Sequence, residues 1–215
     1  MKKQDICTME ISYFEEVKRK LIHMSSLWMV ADTILLAQKQ WIVCLIFAVL
    51  LLLTLVSEHD FANGGKYLGR LYGKLFKKML RNEVKPGQWS VSGGAPVLAA
   101  GLMMNVLFSP VIAASGVAVM LTGDAFAALI GRKFGKHKAV NGKSYEGFAA
   151  FVIAGTIALS VVFALSGLPG RCYITGSVAV VAAAVVELFQ KQLKLDDNFT
   201  IPLTVGIVLF LGFRF

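Results

Sequence analysis

The sequence predicts an all-α polytopic membrane protein with about seven transmembrane helices, one interfacial amphipathic helix and a cytoplasmic N-terminus. Three observations predict it. First, 56% of the 215 residues are hydrophobic and only 16% are charged, too few for the polar skin of a soluble domain; mean hydropathy is +0.67. Second, the apolar runs are continuous and longer than the alternating strands of about 10 residues found in membrane barrels. That leaves helices as the spanning structure. Third, Lys and Arg alternate between the two sides of the predicted spans.

Seven runs are long or apolar enough to be spans: 21–37, 40–57, 91–108, 110–131, 147–167, 172–188 and 200–213. The first and last are short and leave little room for tilt. The first run ends in Ala37-Gln38-Lys39 and another begins at once, which reads as a retained anchor rather than a cleaved signal. Lys and Arg number five before the first span, seven in 58–90, five in 132–146 and two at Lys191 and Lys194. The alternate connections carry one, none, one and one, so 19 of the 22 fall on one face. The positive-inside rule places that face in the cytoplasm, with the C-terminus outside.

Between the second and third spans, residues 66–81 interleave Tyr67, Leu71, Phe76 and Leu80 with Lys66, Arg70, Lys74 and Arg81. Their apolar side chains fall within an arc of about 220°. The segment is expected to lie on the inner membrane surface with its basic side at anionic lipid headgroups. No repeat or boundary divides the chain, so residues 1–215 are read as one integral membrane domain. Cys7, Cys44 and Cys172 are far apart and match no zinc spacing; free thiols are expected.

The net charge of +9 admits nucleic acid, anionic lipid or a phosphorylated substrate as partner. The basic residues follow the positive-inside pattern and no recognition motif accompanies them, so nucleic acid is not expected. Carboxylates gather on the same face. Asp124 lies in the fourth span about eight residues before its inner end, Glu187 ends the sixth and Glu146 opens the fifth. Asp196, Asp197 and Asn198 fill the last inner loop, while Asp32 lies away from that face. Ionisable groups inside spans are costly and usually functional. Carboxylates and cations together suggest a Mg²⁺–polyphosphate complex, in which one or two carboxylates hold the metal and cations meet the phosphates. The cations available are Arg132, Lys136 and Lys143, with Arg19 and Lys20 at the entry of the first span. His23 fits either a base or a hydrogen-bond donor. Gly142-Lys143-Ser144 looks like the end of a Walker A loop, but the earlier glycine position is His137 and no strand precedes it. A Gly-rich basic turn leading into a helix still holds phosphate.

Glu16-x-x-Arg19-Lys20-x-x-His23 resembles the opening motif of the dolichol kinase, phytol kinase and CTP-dependent diacylglycerol kinase family. Gly123-Asp124-Ala125-x-Ala127-x-x-Ile130-Gly131-x-x-x-Gly135-Lys136 is similar to its central motif, and Lys143-Ser144-x-Glu146-Gly147 to the one that follows. Glu187 and Asp197-Asn198-x-x-x-Pro202-Leu203 resemble its C-terminal pair. The blocks keep their order over about residues 16–205. The resemblance implies transfer of the γ-phosphoryl group of CTP, or another nucleotide, to the hydroxyl of a membrane lipid alcohol: a polyprenol, a phytol-like alcohol or diacylglycerol. On that reading Asp124 holds Mg²⁺ together with Glu187, Asp197 or Glu146. Lys143, Lys136, Arg132, Arg19 and Lys20, helped by Ser144 and Asn198, bind phosphate. A carboxylate such as Glu146, or His23, takes the proton of the alcohol.

Phosphatidate cytidylyltransferases share a similar central pattern, but their long C-terminal signature has no counterpart here, which favours the kinase. A lipid transporter is the other alternative. It would usually place charge near the midplane and repeat its halves, and neither is visible. The expected location is the inner membrane of a cell, or its equivalent, with the site facing the cytoplasm. The sequence leaves the oligomeric state open.

Overall fold

The computed structural model describes residues 13–65 and 93–213. The predicted amphipathic helix 66–81 lies outside them. The described residues are helical, and their one β-type pairing is an isolated bridge between Lys138 and Ser144. The helices are α1 (Tyr13–Ser25), α2 (Trp28–Leu35), α3 (Gln40–Ala62), α4 (Gly94–Leu107), α5 (Pro110–Phe134), α6 (Tyr145–Leu165), α7 (Arg171–Leu188), the single turn α8 (Gln190–Leu193) and α9 (Asp197–Gly212).

Four of these stretches are long and apolar enough to cross a membrane: Ala37–Ala62, Pro110–Phe134, Tyr145–Leu165 and Arg171–Leu188. They coincide with the second, fourth, fifth and sixth predicted spans, and the chain is a membrane protein. The apolar helices α4 and α9 are shorter, at 14 and 16 residues, or roughly 21 and 24 Å at 1.5 Å per residue. The first predicted span is two helices instead of one. Around Ser26 and Leu27 the backbone bonds tighten to three-residue spacing, Ser26 N–H to His23 O and Leu27 N–H to Met24 O. Ser25 Oγ also donates to Ile22 O. Serine hydroxyls that compete for helix carbonyls bend or break helices in this way.

The core sits around α5, which packs against α1, α2, α4, α6 and α9. The helix is buried on nearly every side, 78% of its most apolar window against 11% for the α3 stretch. Its sequence explains this: Ala113, Ala114, Ser115, Gly116, Ala118, Gly123, Ala125 and Ala127 let neighbouring backbones approach closely. A Cβ on Gly123 would stand 2.9 Å from the Phe151 ring of α6, so the residue before Asp124 has no room for one. Pro110 starts α5 at a position where a missing N–H costs nothing. The outer surfaces of α3, α6 and α7 expose Leu45, Leu52, Ile153, Ile157, Ile174 and Val178, as expected where lipid is the solvent. Cys44 and Cys172 carry free thiols.

Candidate active site

Glu16, Arg19, Lys20 and His23 recur at helical spacing, so α1 presents all four along one side. That side lies on α5. Lys20 Nζ stands 2.5 Å from Asp124 Oδ2, with both side chains largely buried. His23 Nε2 is 3.5 Å from the same oxygen; it is buried and makes no hydrogen bond. Arg19 grips Glu16 with two bonds, of 2.6 and 3.2 Å, and Arg132 from α5 reaches Glu16 at 3.6 Å. Glu16 is 4% exposed and joins two helices. Its motif marked it, but its place between two arginines carried no signal in the sequence.

At the start of α9, Asp196 caps the helix through the N–H of Asn198, and the Asn198 amide donates to Asp196 at 2.7 Å. Asp197 lies in this polar turn, ahead of the apolar stretch from Thr200. Its carboxyl is pushed up to about 6, first by burial and then by the charges of Asp124 and Asp196. Glu187, at the end of α7, lies within range of the Asp124 charge too. Asp124, Asp197 and Glu187 therefore gather at one end of the bundle, from three helices.

A second cluster adjoins the first. Lys143 Nζ donates to Glu187 Oε1 at 2.5 Å and to the Glu187 carbonyl. Ser144 caps α6, its buried Oγ accepting the Gly147 N–H at 3.1 Å. A Cβ on Gly135 would stand 2.1 Å from the Gly131 carbonyl oxygen and 2.7 Å from Ser144 Oγ, so only glycine fits beneath the loop. Glu146 accepts the backbone N–H groups of Lys136 and His137 at 3.2 Å and meets His137 Nδ1 at 2.8 Å. It organises the loop. Lys136 is exposed beyond it.

Of the residues expected from the sequence, Asp124, Lys20, His23, Arg19, Asp197 and Asn198 surround one spot. Lys143 and Glu187 flank it, and Arg132 joins through Glu16. Ser144, Glu146 and Lys136 belong to the loop that carries Lys143. Among the described residues, no three His, Cys, Asp or Glu side chains converge as a preformed metal cage.

A separate apolar groove of about 860 Å³ runs between α2, α5 and α6. Thr122 and Phe126 line it. Each is two residues from Asp124, which on a helix is about 200° of rotation, so the groove and Asp124 lie on opposite faces of α5, with Glu146, in the first turn of α6, the one charged residue in the groove's lining. Its lining is almost wholly apolar and unsuited to a nucleotide.

Fold and site define a helical membrane protein with paired buried charges concentrated at one end. The chain is 32% identical over 122 residues to the phytol kinase of Synechocystis sp., and 32% identical over 104 residues to the probable chloroplastic phytol kinase of Triticum aestivum. These matches cover 54% and 44% of this chain, and 52% and 35% of the two kinases. An uncharacterized protein of Rickettsia prowazekii is 28% identical over 193 residues, 88% of this chain and 90% of that protein. No protein-family model and no solved structure matches the chain.

Proposed function

We propose that this protein is a membrane lipid-alcohol kinase. It transfers the γ-phosphoryl group of CTP, or another nucleotide, to the hydroxyl of a polyprenol, phytol-like alcohol or diacylglycerol at the cytoplasmic face. Similarity to phytol kinases over about half the chain supports the class. The observation that carries the reading is Asp124, buried against Lys20 and His23 and within range of the charges of Asp197 and Glu187.

The donors fit Mg²⁺, which takes one or two carboxylates and fills its remaining positions with phosphate oxygens and water. Asp124 and Asp197, with Glu187 beside them, would be the carboxylates for it, and Asn198, bonded chiefly to Asp196, completes the polar turn that carries Asp197. When bound, the ion neutralises charge on the phosphates. In the protein alone, four of the cations hold carboxylates: Lys20 on Asp124, Lys143 on Glu187, Arg19 and Arg132 on Glu16. A metal–nucleotide complex supplies both signs of charge. With such a complex bound, the carboxylates would turn to the metal and the cations to phosphate, and no charge would be left buried alone.

Lys20 and Arg19 then stabilise charge moving to the leaving group, while Lys143 holds the nucleotide phosphates equally in ground and transition states, with Arg132 and Lys136 further out. The alcohol oxygen attacks the γ-phosphorus while the bond to the β–γ bridging oxygen breaks. The nucleoside diphosphate leaves, and the alcohol proton passes to His23 Nε2, the buried nitrogen without a hydrogen bond. Labelled nucleotide tests the reading: label from the γ-phosphate must enter the lipid. Label from the α-phosphate would mark a cytidylyltransferase, and label from neither would refute phosphoryl transfer.

A further inference from the structure

We propose that Asn141 and Gln192 are positioning residues for Lys143. Their paired side-chain amides fasten the loop between α5 and α6 to the end of α7, and so set the affinity for nucleotide phosphates. The proposal rests on the kinase reading above and adds residues to it.

The loop turns through two consecutive left-handed residues, Asn141 (φ 61°) and Gly142 (φ 77°). Asparagine is among the few side chains that adopt this conformation readily. The turn directs Lys143 back toward α7. There Asn141 Nδ2 donates to the Leu188 carbonyl at 2.8 Å, one of the carbonyls that a helix end leaves without a partner. Nδ2 also donates to Gln192 Oε1 at 2.6 Å, and Gln192 Nε2 returns a bond to Asn141 Oδ1 at 3.1 Å. Lys191 Nζ adds a bond to the Asn141 carbonyl at 3.2 Å. Both side-chain protons and the oxygen of Asn141 are thus committed to residues 188–192.

Two residues further on, the Lys143 ammonium spends its donors on the Glu187 carbonyl, Glu187 Oε1 and, at 3.4 Å, Gln190 Oε1. A cation suits the C-terminal end of a helix, where carbonyls converge. The α5–α6 contact does not need this clamp. Ser144 caps α6 by itself, and Gly131 and Gly147 pack around it. What Asn141 and Gln192 fix is the place of the Lys143 ammonium beside Glu187.

The test uses the full chain in nanodiscs and measures binding of Mg²⁺–CTP, Mg²⁺–ATP and tripolyphosphate. The variants are Asn141→Gly, Gln192→Ala, Lys143→Met and the double variant N141G/K143M. Glycine retains the left-handed turn, and Gln192 is exposed, so both single clamp variants are expected to fold. Each weakens triphosphate binding and raises the nucleotide KM by about fivefold to tenfold, the worth of one or two neutral hydrogen bonds. kcat stays within about twofold, because the clamp acts on ground and transition states alike. In the K143M background, Asn141→Gly has no further effect. Unchanged binding in both clamp variants, or an equal loss with and without Lys143, overturns the positioning role while leaving the kinase reading intact. A wild-type protein that binds none of the three triphosphates refutes the kinase reading and the clamp with it.

Discussion

The pair between Lys20 and Asp124 makes a quantitative prediction. The two side chains are 5% and 14% exposed, with 2.5 Å between Nζ and Oδ2. Removing one partner of a buried pair strands the other charge and costs about 3–5 kcal/mol. Asp124→Asn keeps an acceptor for Lys20 but loses the charge, which puts it near 3 kcal/mol by that measure. Lys20→Met leaves Asp124 with His23 at 3.5 Å as its remaining close cation, and only when that ring is protonated. For a chain of this size each kcal/mol moves the unfolding midpoint by about 2–4 °C, so Asp124→Asn should lose roughly 6–12 °C. The double variant K20M/D124N strands no charge and should recover most of that loss. Its turnover should stay abolished, because the metal carboxylate and a phosphate-binding cation are both gone. Unfolding followed by intrinsic fluorescence in nanodiscs, beside turnover with γ-labelled nucleotide, reads both quantities. If Asp124→Asn is as stable as the wild type, or the double variant is no more stable than the singles, the pair is not the buried contact described and the exchange of partners loses its basis.

Three further outcomes are expected. His23→Asn should lower kcat by about 10²–10⁴, the usual worth of general base catalysis. Because Nε2 makes no hydrogen bond, the unfolding midpoint should change little. Asp197 titrates near 6, raised from the ordinary carboxylate value, so below that pH it carries a proton that a divalent cation must displace. Affinity for Mg²⁺–CTP, followed by calorimetry, should rise with pH up to about 6 and level off above, and Asp197→Asn should flatten the profile. Gly135→Ala sets a methyl group against a backbone carbonyl that cannot move aside. It should displace the loop and weaken nucleotide binding, at an overpacking cost of about 1–3 kcal/mol.

The long spans were legible because hydropathy averages over a window as wide as a membrane. α3, α5, α6 and α7 all fall where the runs at 40–57, 110–131, 147–167 and 172–188 put them. The division of the first run into α1 and α2 was not legible, since it turns on local bonds around Ser25 and Ser26 that an apolar average does not register. Asp124 and Glu187 stood out by their rarity within apolar runs, whereas Glu16, Arg19, Lys20, Lys143 and Asp197 lie outside those runs and were marked by short motifs. Their pairing did not stand out: Lys20 and Asp124 are 104 residues apart, and only the packing of α1 on α5 makes them partners. Ser144 was visible as part of a motif, yet its hydroxyl serves as a helix cap. Asn141 and Gln192 are ordinary polar residues until a left-handed turn brings them face to face.

The long separation between Lys20 and Asp124 also bears on assembly. A polypeptide enters the bilayer in order of synthesis, and α1 emerges well before α5. An ammonium group cannot settle into a low-dielectric interior without its counter-ion. Helix α1 must therefore wait at the water boundary, its lysine hydrated, until α5 has been inserted and offers a carboxylate. Closure of this end of the bundle is thus a late event in biogenesis, and a truncated chain that stops short of α5 should leave α1 on the membrane surface.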